Sequence, residues 1–222
     1  MSDATRELLV DLGKAFLETF QMVGISLTLA ILLGVPLGLL LFVTERGLFL
    51  ESRAANALGG VAVNVIRSVP FVILLVLVLP LTQALLGTTI GPLAASVPLS
   101  IAAIAFYARL VHGSLCEVDP GVIEAATAAG ATPGQIVRWV LLPEALPGLL
   151  RGLTVTAISL IGFSAMAGIV GGGGVGDLAI RFGYYRYETR VMVVTVVVLI
   201  VLVQLVQMAG DAAARRADHG GR

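Results

Sequence analysis

The sequence predicts an all-α integral membrane protein with five transmembrane helices. Its 222 residues are 58% hydrophobic and only 13% charged, whereas soluble domains carry about 25% charged residues. The apolar residues are also arranged in blocks. Four stretches without Asp, Glu, Lys or Arg are each long enough to cross a bilayer, which takes about 20 apolar residues: 19–44, 68–108, 152–176 and 191–210.

The longest stretch accommodates two spans, because the run Gly-Thr-Thr-Ile-Gly-Pro at 87–92 is a turn-forming cluster. The segments between spans are short, so residues 1–222 are predicted to form a single transmembrane domain, with no separate soluble domain to house a nucleotide-driven motor. The predicted spans are 20–43, 54–79, 93–116, 149–170 and 191–210.

Prolines and glycines inside the spans predict bends and close packing. Pro36 and Pro70 lack the backbone N–H that a helix uses, and each is expected to bend its helix. Glycines one helical turn apart let helices approach closely in lipid. Gly34/Gly38 and Gly168/Gly172 have this spacing.

The distribution of Lys and Arg predicts the orientation, because cytoplasmic loops carry the excess of basic residues. With the 119–143 loop in the cytoplasm, the inside carries Arg46, Arg53, Arg109, Arg138, Arg151, Arg215, Arg216 and Arg222. The outside carries Arg6, Lys14, Arg181, Arg186 and Arg190. The N-terminus is therefore predicted outside and the C-terminus in the cytoplasm. The apolar blocks make the lipid bilayer a partner. Because the net charge is zero and there is no basic patch, nucleic acid is not predicted as a partner.

The first half of the cytoplasmic loop predicts a short capped helix. Asp119 followed by Pro120 is typical of a helix N-cap and of the first helical position. Helix-forming residues continue to Ala129, and Gly130 is able to adopt the left-handed conformation that ends a helix.

The second half of the loop predicts another helix. Thr132 is followed by Pro133 and then by Gln135, a capping-box pattern, so a helix is expected from Pro133 to about Leu142, ending before Pro143. Spacing alone fits two functions equally well. The loop is either a rigid knob that docks in a cleft of a separate protein, or an interfacial helix that only connects spans three and four.

The same loop resembles the EAA motif of ABC-importer permeases. About seven positions match that motif: Glu124-Ala125-Ala126-x-x-x-Gly130, then nine residues, then Val140-x-Leu142-Pro143. The family normally has isoleucine where this chain has Val140. In the family this helix docks in a groove of the ATPase subunit. The resemblance implies that Glu124 makes a polar or charged contact there, that Ala125 and Ala126 allow close approach, and that Gly130 forms the turn.

Four further segments resemble methionine-importer permeases: 67–75, 130–138, 141–148 and 162–176. The similarity runs from about residue 17 to residue 211, and the five-span length matches. It implies a homodimeric permease of the type I importer fold in the inner membrane. Two ATPase subunits, which bind ATP and Mg²⁺, would attach at the cytoplasmic face, and an extracytoplasmic binding protein would deliver methionine. No cofactor is implied on this chain itself.

The glycine-rich run at 171–176 formally satisfies G-x-G-x-x-G. It follows a predicted span rather than a strand, so nucleotide binding is not predicted. The sequence also has no G-x-x-x-x-G-K-[ST] run, so ATP hydrolysis by a P-loop is not expected on this chain. Two interpretations remain: a flexible turn at the outer face, or a hinge that lets the ends of spans four and five move as a gate.

Ser164 lies in a Gly-Phe-Ser run that resembles the serine motif of intramembrane proteases. Such an enzyme needs a histidine as base, but His112 is predicted at the cytoplasmic end of span three and His219 in the C-terminal tail. Ser164 is therefore expected to bond to a carbonyl one turn back. Cys116, the single cysteine, is predicted to be a small buried apolar residue, far from any metal-binding cluster.

Two further residues are candidates for the transport pathway. Arg67 is a charge well inside the predicted span 54–79; it either faces a cavity or snorkels at the cytoplasmic interface. Met166 is either ordinary core or, as the resemblance implies, a plug that closes the path. Together with Ser164, these residues form the predicted gate.

The sequence therefore predicts a permease that transports methionine by alternating access and does not itself catalyse a reaction. Two alternatives remain open. In the first, the permease transports another small amino acid or a related metabolite. In the second, the chain is a self-contained channel or membrane enzyme whose 119–143 loop only connects spans.

Overall fold

A computed structural model describes residues 3–48 and 50–218 of the chain, and the regular secondary structure in these ranges is entirely helical. The α-helices in chain order are α1 Asp3–Leu29, α2 Val35–Val43, α3 Arg53–Ser68, α4 Phe71–Leu86, α5 Pro92–Cys116, α6 Pro120–Ala128, α7 Pro133–Ile136, α8 Leu142–Ala167, α9 Gly174–Leu178 and α10 Thr189–Ala217.

Several of these helices join into longer spans. A π-helical turn, Ala30–Gly34, connects α1 to α2, and a second one, Val137–Leu141, connects α7 to α8. Within the described ranges, four continuous helices are long and apolar enough to cross a membrane: Val10–Val43, Pro92–Cys116, Pro133–Val170 and Thr189–Ala217.

The second π-helical turn overturns one prediction. The helix that begins at Pro133 was expected to end before Pro143, but it continues through this proline into α8. A proline inside a regular helix loses one hydrogen bond and brings its ring against a carbonyl one turn earlier. The wider turn immediately before Pro143 makes room for the ring without ending the helix. Predicted span four, 149–170, is therefore the later part of a much longer helix.

The predicted span 54–79 is divided into α3 and α4, which meet at an angle of 110°. Val69 has an extended backbone (φ −81°, ψ 124°), as expected for a residue that precedes a proline, and Pro70 forms the N-cap of α4. The predicted bend at Pro70 is confirmed, but it is a complete break between two helices of 16 residues each.

The divided pair connects the two ends of the molecule. At its start, the Asn56 side chain donates hydrogen bonds to the Leu41 carbonyl at 2.7 Å and to Thr44 Oγ1 at 3.2 Å. After its end, the Gly91 N–H donates to the Gly171 carbonyl at 2.9 Å. Because Gly171 follows α8 at the end remote from the 119–143 loop, α3 and α4 together cross the protein. The five crossings in chain order are therefore α1 with α2, α3 with α4, α5, α7 with α8, and α10.

Helix α5 forms the centre of the bundle and packs against α1, α2, α3, α4 and α8. One of its faces is buried at a spacing of four residues: Leu99, Ala103, Tyr107, Val111 and Leu115. The predicted close approach at Gly38 is confirmed, because a Cβ atom there would lie 2.5 Å from the Ala108 carbonyl oxygen of α5. Close packing therefore holds the first and third crossings together.

Candidate functional site

Helix α6 is held at both ends by the caps that the sequence predicts. The Asp119 carboxylate accepts a hydrogen bond from the Gly121 N–H at 2.8 Å. At the other end, Gly130 is left-handed with φ +81°. Its N–H donates to the Thr127 carbonyl at 2.9 Å, and the Ala131 N–H donates to the Ala126 carbonyl at 3.1 Å. This pair of bonds is a Schellman motif, so α6 is a defined helix of fixed length.

One face of α6 packs on the bundle and the other faces outward. Ile123 and Ala126 are partly buried against the main core. Glu124 and Ala125 are exposed, and Val122 is 39% exposed. Among the described residues, Glu124 forms no hydrogen bond or ion pair. The motif residues therefore divide between the two faces: Ala126 anchors the helix, while Glu124 and Ala125 are available to another molecule.

The segment that follows α6 connects it to the continuous helix Pro133–Val170. The Thr132 N–H donates to Gln135 Oε1 at 2.8 Å, which caps α7. Ile136, which precedes the π-helical turn, and Leu141, the last residue of the turn, are fully buried. Among the remaining motif residues, Leu142 is half-buried and Pro143 is exposed. Since α7 continues into α8, a displacement of α6 and α7 would be transmitted along the whole fourth crossing.

Trp139 marks the outer surface of the same turn. It is 68% exposed, and the Arg138 guanidinium lies 5.2 Å from the centroid of its ring. An exposed tryptophan beside an arginine is typical of a membrane interface or of a protein contact.

Arg67 lies in the last turn of α3, at the break midway along the second crossing, and is exposed. Four residues later, Phe71 stacks on Phe163 of α8, with ring centroids 4.7 Å apart. This stack joins the break to the part of α8 that carries the other two predicted gate residues. Arg67 itself forms no hydrogen bond or ion pair with another described residue.

Ser164 and Met166 lie on different faces of α8. Ser164 is buried and donates to the Ile161 carbonyl at 2.8 Å, which confirms the predicted bond to the preceding turn. Its hydroxyl is therefore already satisfied. Met166 is 38% exposed. Of the two, Met166 is the side chain that faces space outside this chain.

The glycine-rich run forms a closely packed turn. Gly171, Gly173 and Gly174 have positive φ angles. The Gly174 N–H donates to the Glu18 carboxylate at 2.8 Å, and the next N–H, of Val175, donates to Thr19 Oγ1 at 3.0 Å. These bonds fasten the turn between α8 and α9 to the first crossing, so any gating movement here would involve α1 as well.

A second group of polar side chains lies at the end of α5 next to α6. The expectation that Cys116 is buried is wrong, because its thiol is exposed. Its Sγ lies 3.8 Å from His112 Nε2, which in turn is 2.8 Å from Glu45 Oε1. The i, i+4 spacing of His112 and Cys116 is visible in the sequence. Glu45 is 67 positions away from His112, and only the fold brings it to this place.

Comparison with known proteins identifies the family of this chain. Residues 30–219 match the family described as "Binding-protein-dependent transport system inner membrane component". The chain belongs to this family. It is an inner-membrane permease component of a transport system.

Individual relatives agree with this assignment. The chain is 52% identical over 202 residues to the probable D-methionine transport system permease protein MetI of Vibrio cholerae, covering 91% of this chain and 90% of the relative. It is 48% identical to the protein of the same description from Pasteurella multocida, covering 93% and 95%. The Escherichia coli K12 D-methionine permease is 46% identical over 76% of each chain.

Solved structures confirm the predicted fold class. An inward-facing structure of the MetNI methionine ABC transporter superposes with a TM-score of 0.93 at 44% identity, covering 99% of this chain and all of the other. An amino acid ABC transporter is similar in fold alone, with a TM-score of 0.79 at 20% identity. The five-crossing permease fold of type I importers, which the motif resemblance implied, is therefore the fold of this chain.

Proposed function

We propose that this permease moves methionine across the inner membrane by alternating access, driven by ATP hydrolysis on separate subunits. The observation that carries the proposal is α6: a capped helix with an exposed, unpaired Glu124, anchored to the bundle through Ile123 and Ala126. The names of the relatives, which describe D-methionine permeases, support the substrate.

The proposed motor consists of two ATP-binding subunits that hold ATP and Mg²⁺ at the cytoplasmic face. In this proposal Glu124 makes the charged contact in their docking groove, and Ala125 allows the helix to lie close to the groove wall. Gly130 and the Leu142-Pro143 pair set the direction in which the chain leaves the groove. ATP shifts the conformational equilibrium only if it binds the closed motor better than the open one.

The proposed second permease copy lies against α3 and α4. Their outward faces carry a band of exposed apolar side chains: Leu58, Val61, Val65, Ile73, Val76 and Leu77. A purely lipid-facing band would not need a charge, yet Arg67 is exposed at the break between the two helices. A charge at membrane depth is costly unless it faces a partner or a water-filled cavity. Arg67 and Met166 are therefore proposed to line the path between two copies.

The proposed orientation has the N-terminus outside and the C-terminus in the cytoplasm. Arg151 near the start of α8 lies 3.7 Å from Asp218, so the end of α10 is on the α6 side of the molecule. The first crossing is fastened near its start to the turn at the opposite side, through Glu18 and Gly174. The extracytoplasmic binding protein is proposed to deliver substrate at that opposite side.

A charge reversal at Glu124 tests the docking of α6. The change Glu124→Lys leaves the fold unaffected, because the side chain is exposed, and surface changes of this kind cost less than about 0.5 kcal/mol. Loss of a buried charged contact in the complex would cost about 2–5 kcal/mol, or roughly 30- to 5,000-fold in affinity. The measurement is co-purification of the permease with its ATPase subunits, together with substrate-stimulated ATP hydrolysis.

The matched control is Glu188→Lys, the same charge change on an exposed residue at the opposite end of the protein, just before α10. It should assemble as the wild type does. Equal assembly of the Glu124→Lys and Glu188→Lys proteins would refute the docking role. The substrate is tested separately, by uptake of labelled D-methionine into proteoliposomes that contain the assembled transporter and its binding protein. If unlabelled methionine does not reduce this uptake, methionine is not the substrate.

A further inference from the structure

The end of α5 carries three metal-binding side chains that the transport mechanism does not use. His112 and Cys116 lie one turn apart on α5, and Glu45 follows the end of α2. One nitrogen, one sulfur and one oxygen from these residues all lie within 4.8 Å of one another. They come from two separate segments, so their convergence is a property of the fold and not of one helix.

The spacing of these atoms suits a tetrahedral metal. In a tetrahedral Zn²⁺ site, neighbouring ligand atoms are about 3.3–3.6 Å apart, as bond lengths of about 2.0–2.3 Å require. Cys116 Sγ is 3.8 Å from His112 Nε2, slightly longer than this spacing. Glu45 Oε1 is 2.8 Å from the same nitrogen, the distance of a direct hydrogen bond. Binding would therefore move the carboxylate outward by about half an ångström and turn the imidazole so that Nε2 faces the ion.

The exposure of the three groups permits entry of an ion. The His112 side chain is only 12% exposed, which fixes its position, whereas the Glu45 side chain is 40% exposed and Cys116 is open to solvent. Sulfur and imidazole donors favour Zn²⁺ and similar soft divalent ions over Mg²⁺ or Ca²⁺, which prefer oxygen. Three protein ligands leave a fourth position for water.

We propose that Glu45, His112 and Cys116 form a binding site for a Zn²⁺-class divalent cation. The ion replaces the thiol proton of Cys116, which passes to solvent, and it takes the place of the hydrogen bond between His112 and Glu45. With a thiolate, a carboxylate and a neutral imidazole as ligands, the charge of the bound Zn²⁺ is balanced within the site.

The location gives the site a consequence for movement. Asp119, the N-cap of α6, is three positions after Cys116, and Val118 between them is buried in the main core. Glu45 belongs to the segment that leads into α3, the helix that ends at the 110° break. A bound ion would join these two segments directly and restrain their relative displacement.

Protection of the thiol tests the site in the assembled transporter. Cys116 is the only cysteine of the chain, so its reaction with a maleimide is followed on the permease band of a gel. A tag without histidine or cysteine is used for purification. With micromolar Zn²⁺, alkylation of the wild type should slow at least tenfold, and a chelator should restore the rate. Alkylation that is equally fast with and without Zn²⁺ would overturn the proposal.

Variants distinguish the three-residue site from binding by the thiol alone. Loss of one ligand should weaken binding by at least the roughly 10- to 100-fold that loss of an outer partner costs. His112→Gln and Glu45→Gln should therefore remove the protection at the same Zn²⁺ concentration. His219→Gln, a change to the other histidine of the chain, should keep it. Protection that persists in His112→Gln would refute the site.

A Co²⁺ titration gives a second readout that does not depend on labelling. Co²⁺ replaces Zn²⁺ in such sites, and a thiolate ligand produces a charge-transfer absorption that the Cys116→Ser protein should lack. The expected result is one bound Co²⁺ per permease chain in the difference between wild type and Cys116→Ser. Identical spectra for the two proteins would overturn the proposal, and each protein is checked for assembly by size-exclusion chromatography.

Discussion

Substitution of Gly38 by alanine should loosen the contact between the first and third crossings. A Cβ atom at this position would lie 2.5 Å from the Ala108 carbonyl oxygen and 2.7 Å from Val111 Cβ. Carbon atoms in contact are normally about 3.5–4.0 Å apart, so α2 and α5 would have to separate by about 0.8 Å or more. Overpacking of this kind costs about 1–3 kcal/mol.

Gly24→Ala is the matched control, because a Cβ atom there meets nothing within 4 Å. Both changes gain about 1 kcal/mol of helix propensity, so the difference between the two variants isolates the steric cost. For a chain of this size, about 1–3 kcal/mol corresponds to a melting temperature roughly 2–12 °C lower. The assay is the loss of the monodisperse transporter on size-exclusion chromatography after heating at one fixed rate, since unfolding of such proteins is often irreversible. Equal melting temperatures for Gly38→Ala and Gly24→Ala would refute the close-contact argument.

Two other predictions concern the pathway and the outer turn. Met166→Ala should raise the substrate flux that is not coupled to ATP hydrolysis, measured in proteoliposomes. Met208→Ala, at an exposed position of α10, should not raise it. An equal leak through both variants would contradict a plug at Met166. The pKa of Asp177 is raised, because burial raises it by more than Arg181 lowers it; Arg181 Nε lies 2.7 Å from Asp177 Oδ2. The pKa of Asp177 is therefore higher in the folded protein than in the unfolded one. The wild type should gain stability relative to Asp177→Asn as the pH falls through the folded pKa, and should lose this gain as the pH rises. A difference in melting temperature between the two proteins that does not change with pH would contradict this prediction.

The sequence predicts most of the elements that depend on local chemistry. The caps of α6 at Asp119 and Gly130 are confirmed, because both ends are determined by residues within a few positions of the helix. The turn at 87–92 and the bend at Pro70 have the same local origin. Long apolar runs likewise predict the crossings, since the length of a membrane span is determined by the bilayer.

Features that depend on distant contacts were not predictable in the same way. Continuation of the helix through Pro143 depends on a π-helical turn, and propensity rules count a proline at that place as a helix end. The exposure of Cys116 and its proximity to Glu45 arise from the packing of α2 beside α5. Whether Arg67 faces a cavity or a second copy depends on contacts beyond a single chain, so its role in the path stays a prediction.

The π-helical turns Ala30–Gly34 and Val137–Leu141 also determine the angle about the helix axis at which the flanking helical segments face the bundle. Each residue of an α-helix advances the direction of its side chain by about 100°. The extra residue held in Val137–Leu141 therefore sets the angle at which α7 faces the bundle relative to α8. Deleting one residue there would turn Ile136 away from the core and would swing α6 to another side of the protein, although every helix would keep its composition. The direction in which Glu124 faces is thus specified by the number of residues in the turn between α7 and α8, and not by the α6 sequence alone.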